Sequence, residues 1–375
     1  MNKKIKVVYI ISNIQNRVFQ FEWQAEKIDK TKFDIFFILL NSKISPFESF
    51  LIEKKIPVIR INYTSKKNII YSFFKCYLIL KKIKPHIIHT HLFEASLIGL
   101  TAAKFAGIKK RVYTRHHSDS NISYAPNAVK YDKFINKMST SIIAISENVK
   151  NILITLEQVS PEKIKIIEHG IDLEEVDSIS ETRIEKLKLK YNSQNQKPVI
   201  GVISRYIKLK GLEYVIDAFS RLLLSYPSAR LLLFNCKGNY SPIIKEKLKK
   251  LPSSNYLEVE FEEDLYALYK IFDIYIHTPI DSRCEAFGQT YIEALVTKTP
   301  SIFTLSGIAN DFIENKRNAL VVDYKNSENI YNAIKELLTN NNLVCTLVQN
   351  GEQDVRRKFN INEKIKELEA YYISL

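Results

Sequence analysis

Two carboxylates eight residues apart, Glu285 and Glu293, flank an Ala286-Phe287-Gly288 turn in the segment DSRCEAFGQTYIEAL. If a helix begins near Gly288, Glu285 lies in the loop before its N-terminus and Glu293 sits about two turns along it. Unpaired N–H groups at a helix start favour anions and strong hydrogen-bond acceptors. An ionised carboxylate accepts from vicinal hydroxyls, so this segment suits a sugar diphosphate, although a solvated helix face would show the same spacing. A second cluster, Arg205, Lys208 and Lys210 in SRYIKLKG, follows the apolar run PVIGVIS and precedes Gly211. Cations at the C-terminal edge of a parallel strand occupy the crevice where open α/β sheets bind ligands. They would pair with phosphate oxygens, arginine as a planar fork and lysine as a point charge.

The third cluster is made of histidines. His89 lies at the end of one β-branched run, PHIIHT, with His91 directly after it, and His116 and His117 follow the next, RVYTR. Histidines at the ends of neighbouring strands can converge on one crevice as positioning or proton-handling groups. No Asp, Glu or Cys stands at ligand spacing from them, so a metal site is not expected. Cys284 adjoins Glu285 but reads as a bystander thiol.

These residues need elements to position them. Short β-branched runs alternate with longer amphipathic segments along the chain, the pattern of βα units around a parallel sheet. The runs IKVVYII, FDIFFILL, IPVIRI, PHIIHT, RVYTR, SIIAIS and KIKIIE predict one sheet, and PVIGVIS, ARLLLFN, YLEVE, IYIHT, PSIFT and ALVVD predict another. Between them residues 172–197 are charged and polar and end before Pro198, which reads as the region of a domain boundary. The expected division is 1–180, 181–358 and a final helical stretch 359–375, whose own pattern does not say which domain it docks on. A length of 375 residues with 46% hydrophobic composition is enough for two cores.

The charge is lopsided. Residues 1–150 hold 26 Lys+Arg against 10 Asp+Glu, whereas the rest hold 29 against 31. A basic lobe concentrates an anionic partner, such as a phospholipid surface, a phosphorylated lipid or a nucleic acid. The basic start MNKKIKVVYIIS lacks a signal-peptide cleavage site and reads as a first buried strand. The apolar stretch IIYSFFKCYLILKKIK is interrupted by Lys75 and is too short to span a bilayer. The four cysteines have no paired spacing and read as reduced thiols, which fits a cytoplasmic setting.

Taken in order, HTHLFEASLIGL, SENVKNILITLEQVSPEKIKIIEHGIDLEEV, SRYIKLKG, EAFGQTYIEAL and TPSIF resemble the landmarks of glycosyltransferase family 4 in the GT-B superfamily, over most of the chain. The resemblance implies two Rossmann-like α/β domains with parallel sheets facing a central cleft, and a final helix crossing back to brace the N-terminal domain. It implies that Arg205 and Lys210 clamp the donor diphosphate. Glu285 would contact the transferred sugar and Glu293 the ribose, while Ala286, Phe287 and Gly288 close on the donor through backbone. One histidine of the RHHSD loop would stand near the reacting carbon, His116 ahead of His117, and His91, His117 and Asn13 would lie on the acceptor side. Members of this kind work with retention of configuration and without a bound metal or other cofactor.

Two departures stand out. A glycine-rich loop usual after the first strand is replaced by SNIQNRVF, where close backbone approach is harder. The later phosphate-side loop reads TLSGIAND, leaving Ser306 and Gly307 as weaker donor-site candidates. The expected activity is transfer of a hexosyl unit from a nucleotide sugar to a glycan or lipid-linked acceptor in cell-surface polysaccharide, lipopolysaccharide or glycolipid assembly. The anionic inner face of the cytoplasmic membrane is the expected partner of the basic N-terminal lobe. The alternatives are a GT-B nucleotide-sugar 2-epimerase and, less favoured for want of a recognised motif, a nucleic-acid-binding protein. No G-x-G-x-x-G follows any predicted strand, which argues against a dinucleotide-dependent oxidoreductase.

Overall fold

The computed structural model describes residues 4–119, 121–122 and 125–375. The chain forms two compact units, residues 1–170 with 361–375, and residues 171–360. The first unit contains a seven-stranded sheet in the order β3-β2-β1-β4-β5-β6-β7. Its strands are β1 (Ile5–Ser12), β2 (Phe33–Asn41), β3 (Val58–Asn62), β4 (Ile87–His91), β5 (Lys110–Arg115), β6 (Ser141–Ala144) and β7 (Ile164–Ile166). Every pairing is parallel. Because helices cover both faces, the strands read as continuous apolar runs rather than alternating ones. Val7, Val8, Ile10 and Ile11 are all fully buried.

The second unit repeats the plan with a six-stranded sheet, order β10-β9-β8-β11-β12-β13. Its strands are β8 (Val199–Ile203), β9 (Arg230–Phe234), β10 (Tyr256–Val259), β11 (Ile274–His277), β12 (Ser301–Phe303) and β13 (Leu320–Val321), again parallel throughout. Each strand of both sheets falls within or against a run expected from the sequence. In each unit the strand order reverses beside the first strand, between β1 and β4 and between β8 and β11. Such switch points leave a crevice at the C-terminal strand ends.

The unit boundary differs from the expected 180/181. The chain leaves the first unit at Gly170, and the segment 172–197 is no linker. It holds the helices Leu173–Asp177 and Glu181–Tyr191, the latter capped by Ser180. Ile184, Leu187 and Tyr191 bury one face of that helix, and Arg183 binds Asp264 through Nε at 2.8 Å and Nη2 at 2.6 Å. The spacing of three apolar residues was masked by the many charges between them.

The last helix, Ile361–Ser374, belongs to the first unit. Ile361, Ile365, Leu368 and Tyr372 join the core beneath β1 and β2. Tyr372 Oη lies 2.7 Å from Tyr9 Oη and 2.5 Å from His89 Nδ1. Among the described residues no helix is long and apolar enough to cross a membrane.

Candidate functional site

In the second unit β8 ends at the switch point and its loop carries the cations. A short 3-10 turn, Lys208–Lys210, precedes Gly211 and the helix Leu212–Leu222. Lys210 points inward and its ammonium pairs with Glu285 Oε1. Neighbouring β11 delivers His277, 3% exposed, whose Nε2 lies 2.8 Å from the same oxygen. Arg205 is exposed, and its guanidinium has no ion pair or side-chain hydrogen bond among the described residues.

The loop carrying Glu285 is held from the β12 side. The Glu285 amide donates to Ser306 Oγ at 3.0 Å, and the Ile308 amide donates to the Phe287 carbonyl at 2.8 Å. Gly307 turns between them at φ 59°; a Cβ there would meet Phe287 O at 2.6 Å and Glu285 Cβ at 2.7 Å. Ser306 and Gly307 therefore fix the loop's shape. Phe287 buries its ring 6.0 Å from that of Phe359, while Ala286 stays partly exposed. Gly288, at φ 89°, caps the helix Gln289–Val296.

Burial alone would raise the pKa of Glu285, but the Lys210 ammonium and the His277 hydrogen bond overcome it and hold the carboxyl well below its usual range. For His277 burial wins over the carboxylate and lowers the pKa, so the imidazole is neutral at pH 7 and donates through Nε2–H. Glu293 has a different environment. The Tyr269 hydroxyl donates to its Oε2 at 2.9 Å, and burial, which outweighs that bond, raises it to about 7. The two glutamates thus hold distinct charge states near neutrality. Burial pushes the Cys284 thiol up to about 12, which leaves little thiolate for nucleophilic chemistry.

In the first unit the four singled-out histidines separate. His91 Nδ1 and His116 Nε2 lie 2.9 Å apart, and His116 stacks on His169 with centroids at 5.5 Å. His89 turns into the core, where Nε2 lies 2.6 Å from Thr114 Oγ1 and Nδ1 meets Tyr372. Its part is structural. Burial drives His91 and His116 well below 6.5, and lowers His89 to about 3 and His169 to about 4. His117 faces the other way, with Nε2 at 3.3 Å from the buried Asp132. It lines a cavity of about 400 Å³ with Glu94, Phe93, Leu97 and Tyr131. Asn13 reaches the same wall, donating to Glu94 Oε2 at 2.8 Å.

The glycine-free loop after β1 still turns tightly. Asn13 takes φ 57°, a left-handed conformation that asparagine tolerates. Asn41 then clamps the next residue, accepting from the Ile14 amide at 3.0 Å and donating to its carbonyl at 2.8 Å. Two further residues were not singled out from the sequence. His277 closes β11 within IYIHT and His169 sits in EHGID after β7, so both stand at strand ends as His91 and His116 do.

A model of glycosyl transferases group 1 matches residues 183–354, and a model of glycosyltransferase family 4 matches residues 24–175. A capsular polysaccharide biosynthesis glycosyltransferase, CapM of Staphylococcus aureus, is 27% identical over 80% of this chain and 80% of its own length. The UDP-Gal:alpha-D-GlcNAc-diphosphoundecaprenol alpha-1,3-galactosyltransferase of Escherichia coli is 24% identical over 100% of this chain and 98% of its own. Among solved structures, Anabaena HepE in complex with UDP-glucose superposes with a TM-score of 0.85 at 19% identity, covering 99% of this chain and 100% of that one. Two parallel-sheet units of Rossmann type, each matched over most of its length by a glycosyltransferase family model, make this chain a GT-B glycosyltransferase of the family 4 type.

Proposed function

We propose that the chain transfers a hexosyl unit from a nucleoside-diphosphate sugar to a lipid-linked or otherwise membrane-proximal glycan acceptor, with retention of configuration and without a metal ion. The observation that carries this reading is the set of groups at the β8/β11 switch point. Lys210, Glu285 and His277 are locked together there, and Arg205 stands in solvent. A nucleoside diphosphate gains negative charge as the bond from the anomeric carbon to its phosphate oxygen breaks, and catalysis must aim positive charge at that oxygen. Arg205, Lys210 and the helix start at Gly288 supply it from protein groups alone. Lys210 then exchanges part of its pairing with Glu285 for phosphate, while Glu285, kept ionised, accepts from sugar hydroxyls. With retention, the acceptor hydroxyl joins the anomeric carbon on the face the diphosphate leaves, and its proton passes to the departing phosphate oxygen.

The acceptor half is supported by the first unit's basic surface and by the cavity beside His117, Glu94 and Asn13. His116, half-buried beside His91 and His169, serves the acceptor half as a neutral hydrogen-bonding group. The activity belongs to the inner face of a cytoplasmic membrane, in polysaccharide or glycolipid assembly. Uridine diphosphate hexoses are the first donors to test, since the Escherichia coli relative is named for UDP-Gal and HepE is seen with UDP-glucose. Purified protein is incubated with each donor, with and without a polyprenyl-diphosphate-linked acceptor and with chelator present. Acceptor-dependent release of the nucleotide is expected. Conversion of one nucleotide sugar into another without acceptor would replace this reading with epimerase chemistry.

A further inference from the structure

The helix Ile69–Ile83 is apolar on two faces. Ser72, Cys76 and Leu80 are buried and pack inward. Ile70, Phe74 and Leu78, spaced by one turn along the opposite side, are 72%, 57% and 61% exposed, with Tyr71 beside them at 52%. A helix on the surface of a soluble domain normally turns polar residues outward, and one that is apolar all round is covered by something. The patch continues through Phe73, whose ring lies 5.8 Å edge-on from Phe105, itself 69% exposed at the end of the helix Phe93–Phe105.

Lysines frame the stripe. Lys66 and Lys67 precede it, Lys75 extends over the Tyr71 ring at 5.6 Å, and Lys81 and Lys82 follow. None of these five makes an ion pair among the described residues. Residues 54–93 contain nine Lys or Arg and no Asp or Glu. An apolar stripe with lysines at both ends matches an interfacial helix, whose side chains enter the acyl boundary while ammonium groups meet lipid phosphates. A second copy of the chain is a poor occupant, because a two-fold contact through this face would set the same lysines against one another.

The geometry points to the outer face of Ile69–Ile83, with Phe105, as the surface that seats this protein on an anionic lipid bilayer. The inference deepens the membrane-proximal acceptor proposed above and rests on that reading. It goes beyond net charge by naming the face and requiring insertion of apolar side chains.

Cosedimentation with vesicles tests it. The wild-type chain binds equimolar phosphatidylglycerol–phosphatidylcholine vesicles at low salt and binds pure phosphatidylcholine far less. Combining Ile70→Ser, Phe74→Ser and Leu78→Ser lowers binding by about tenfold or more with an unchanged melting temperature, since all three are exposed. Should that variant fail to fold, Lys81→Glu with Lys82→Glu reads the same surface through charge and lowers binding to anionic vesicles alone. Leu224→Ser, at an 84% exposed position in the second unit, leaves binding intact. Wild-type protein that ignores anionic vesicles, or a triple variant that binds as wild type does, overturns the assignment. So does a wild-type dimer that the triple variant abolishes while vesicle binding persists. A thermal shift with UDP-glucose is read in parallel on every variant. Its absence from the wild type counts against the donor reading above, not against this surface.

Discussion

Lys210 Nζ and Glu285 Oε1 form an ion pair across 75 residues of sequence, and most of both side chains is removed from solvent. The pair joins the loop after β8 to the loop after β11, so the switch-point crevice of the second unit is tied together by charge. Lys210→Ala strips the buried carboxylate of its ammonium, which lowers stability as well as removing a phosphate ligand. The expected loss in kcat is about 10²-fold to 10³-fold, with a reduced Tm. Arg205→Ala should lose rate on the same scale while Tm stays put, because the Arg205 guanidinium has no ion pair or side-chain hydrogen bond among the described residues to abandon. Turnover and thermal melts of the two variants check this; equal Tm losses would contradict it.

Glu293 sets a pH dependence. Its folded pKa of about 7 lies above the ordinary 4.5, so the folded chain binds more protons than the unfolded one between those values. Stability therefore falls as pH rises from 4.5 to 7. Glu293→Gln removes the cost of ionising a buried carboxyl and should raise Tm by about 2–4 °C at pH 8, with the gain vanishing near pH 4.5. Glu285 acts in the opposite sense. Its depressed pKa contributes stability that is present above 4.5 and is lost only as pH falls through the lower, folded value. Melting curves across pH for the wild type, Glu293→Gln and Glu285→Gln separate the two.

Gly307→Ala tests the loop geometry. At φ 59°, with Phe287 O 2.6 Å from the new Cβ, the backbone must shift and carry Glu285 with it. We expect a loss of about 1–3 kcal/mol of stability and weaker binding of nucleotide sugar by calorimetry. Wild-type affinity would show that Glu285 is positioned without this turn.

Tyr372→Phe probes the return of the last helix. The hydroxyl serves both Tyr9 and His89, which the substitution leaves without it in the core of the first unit. The expected cost is about 1–3 kcal/mol, read by denaturant titration, and Tyr9→Phe combined with it should cost less than the sum. Additive losses would mean that the hydroxyls do not interact.

The adjacent histidines should divide by function. His116→Ala is expected to lower kcat by about 10²-fold or more, whereas His117→Ala acts through Asp132 and the acceptor-side cavity and should chiefly raise the acceptor KM. Steady-state kinetics decide it; a reversed pattern would exchange the two assignments.

The strands were legible because burial on both faces of a parallel sheet demands consecutive β-branched and aromatic residues, a local signature that IKVVYII and PVIGVIS carry undiluted. Arg205 and Lys210 stood out for a similar reason, since polar groups that follow such runs land at strand ends, and Glu285 stood out because a carboxylate before the Phe287-Gly288 turn faces a helix start. What the sequence could not decide was which groups share an environment. His89 and His91 are two residues apart on one strand, yet one bonds Tyr372 and the other His116. His116 and His117 are adjacent, yet they point into different surroundings. The role of His277 appears only once β11 lies against β8, and the place of residues 172–197 in the second unit only once Arg183 has found Asp264. Local pattern is set by the period of the backbone. Pairing, ionisation and the side of a domain on which a helix settles depend on neighbours tens or hundreds of residues away, and those are assigned by tertiary packing.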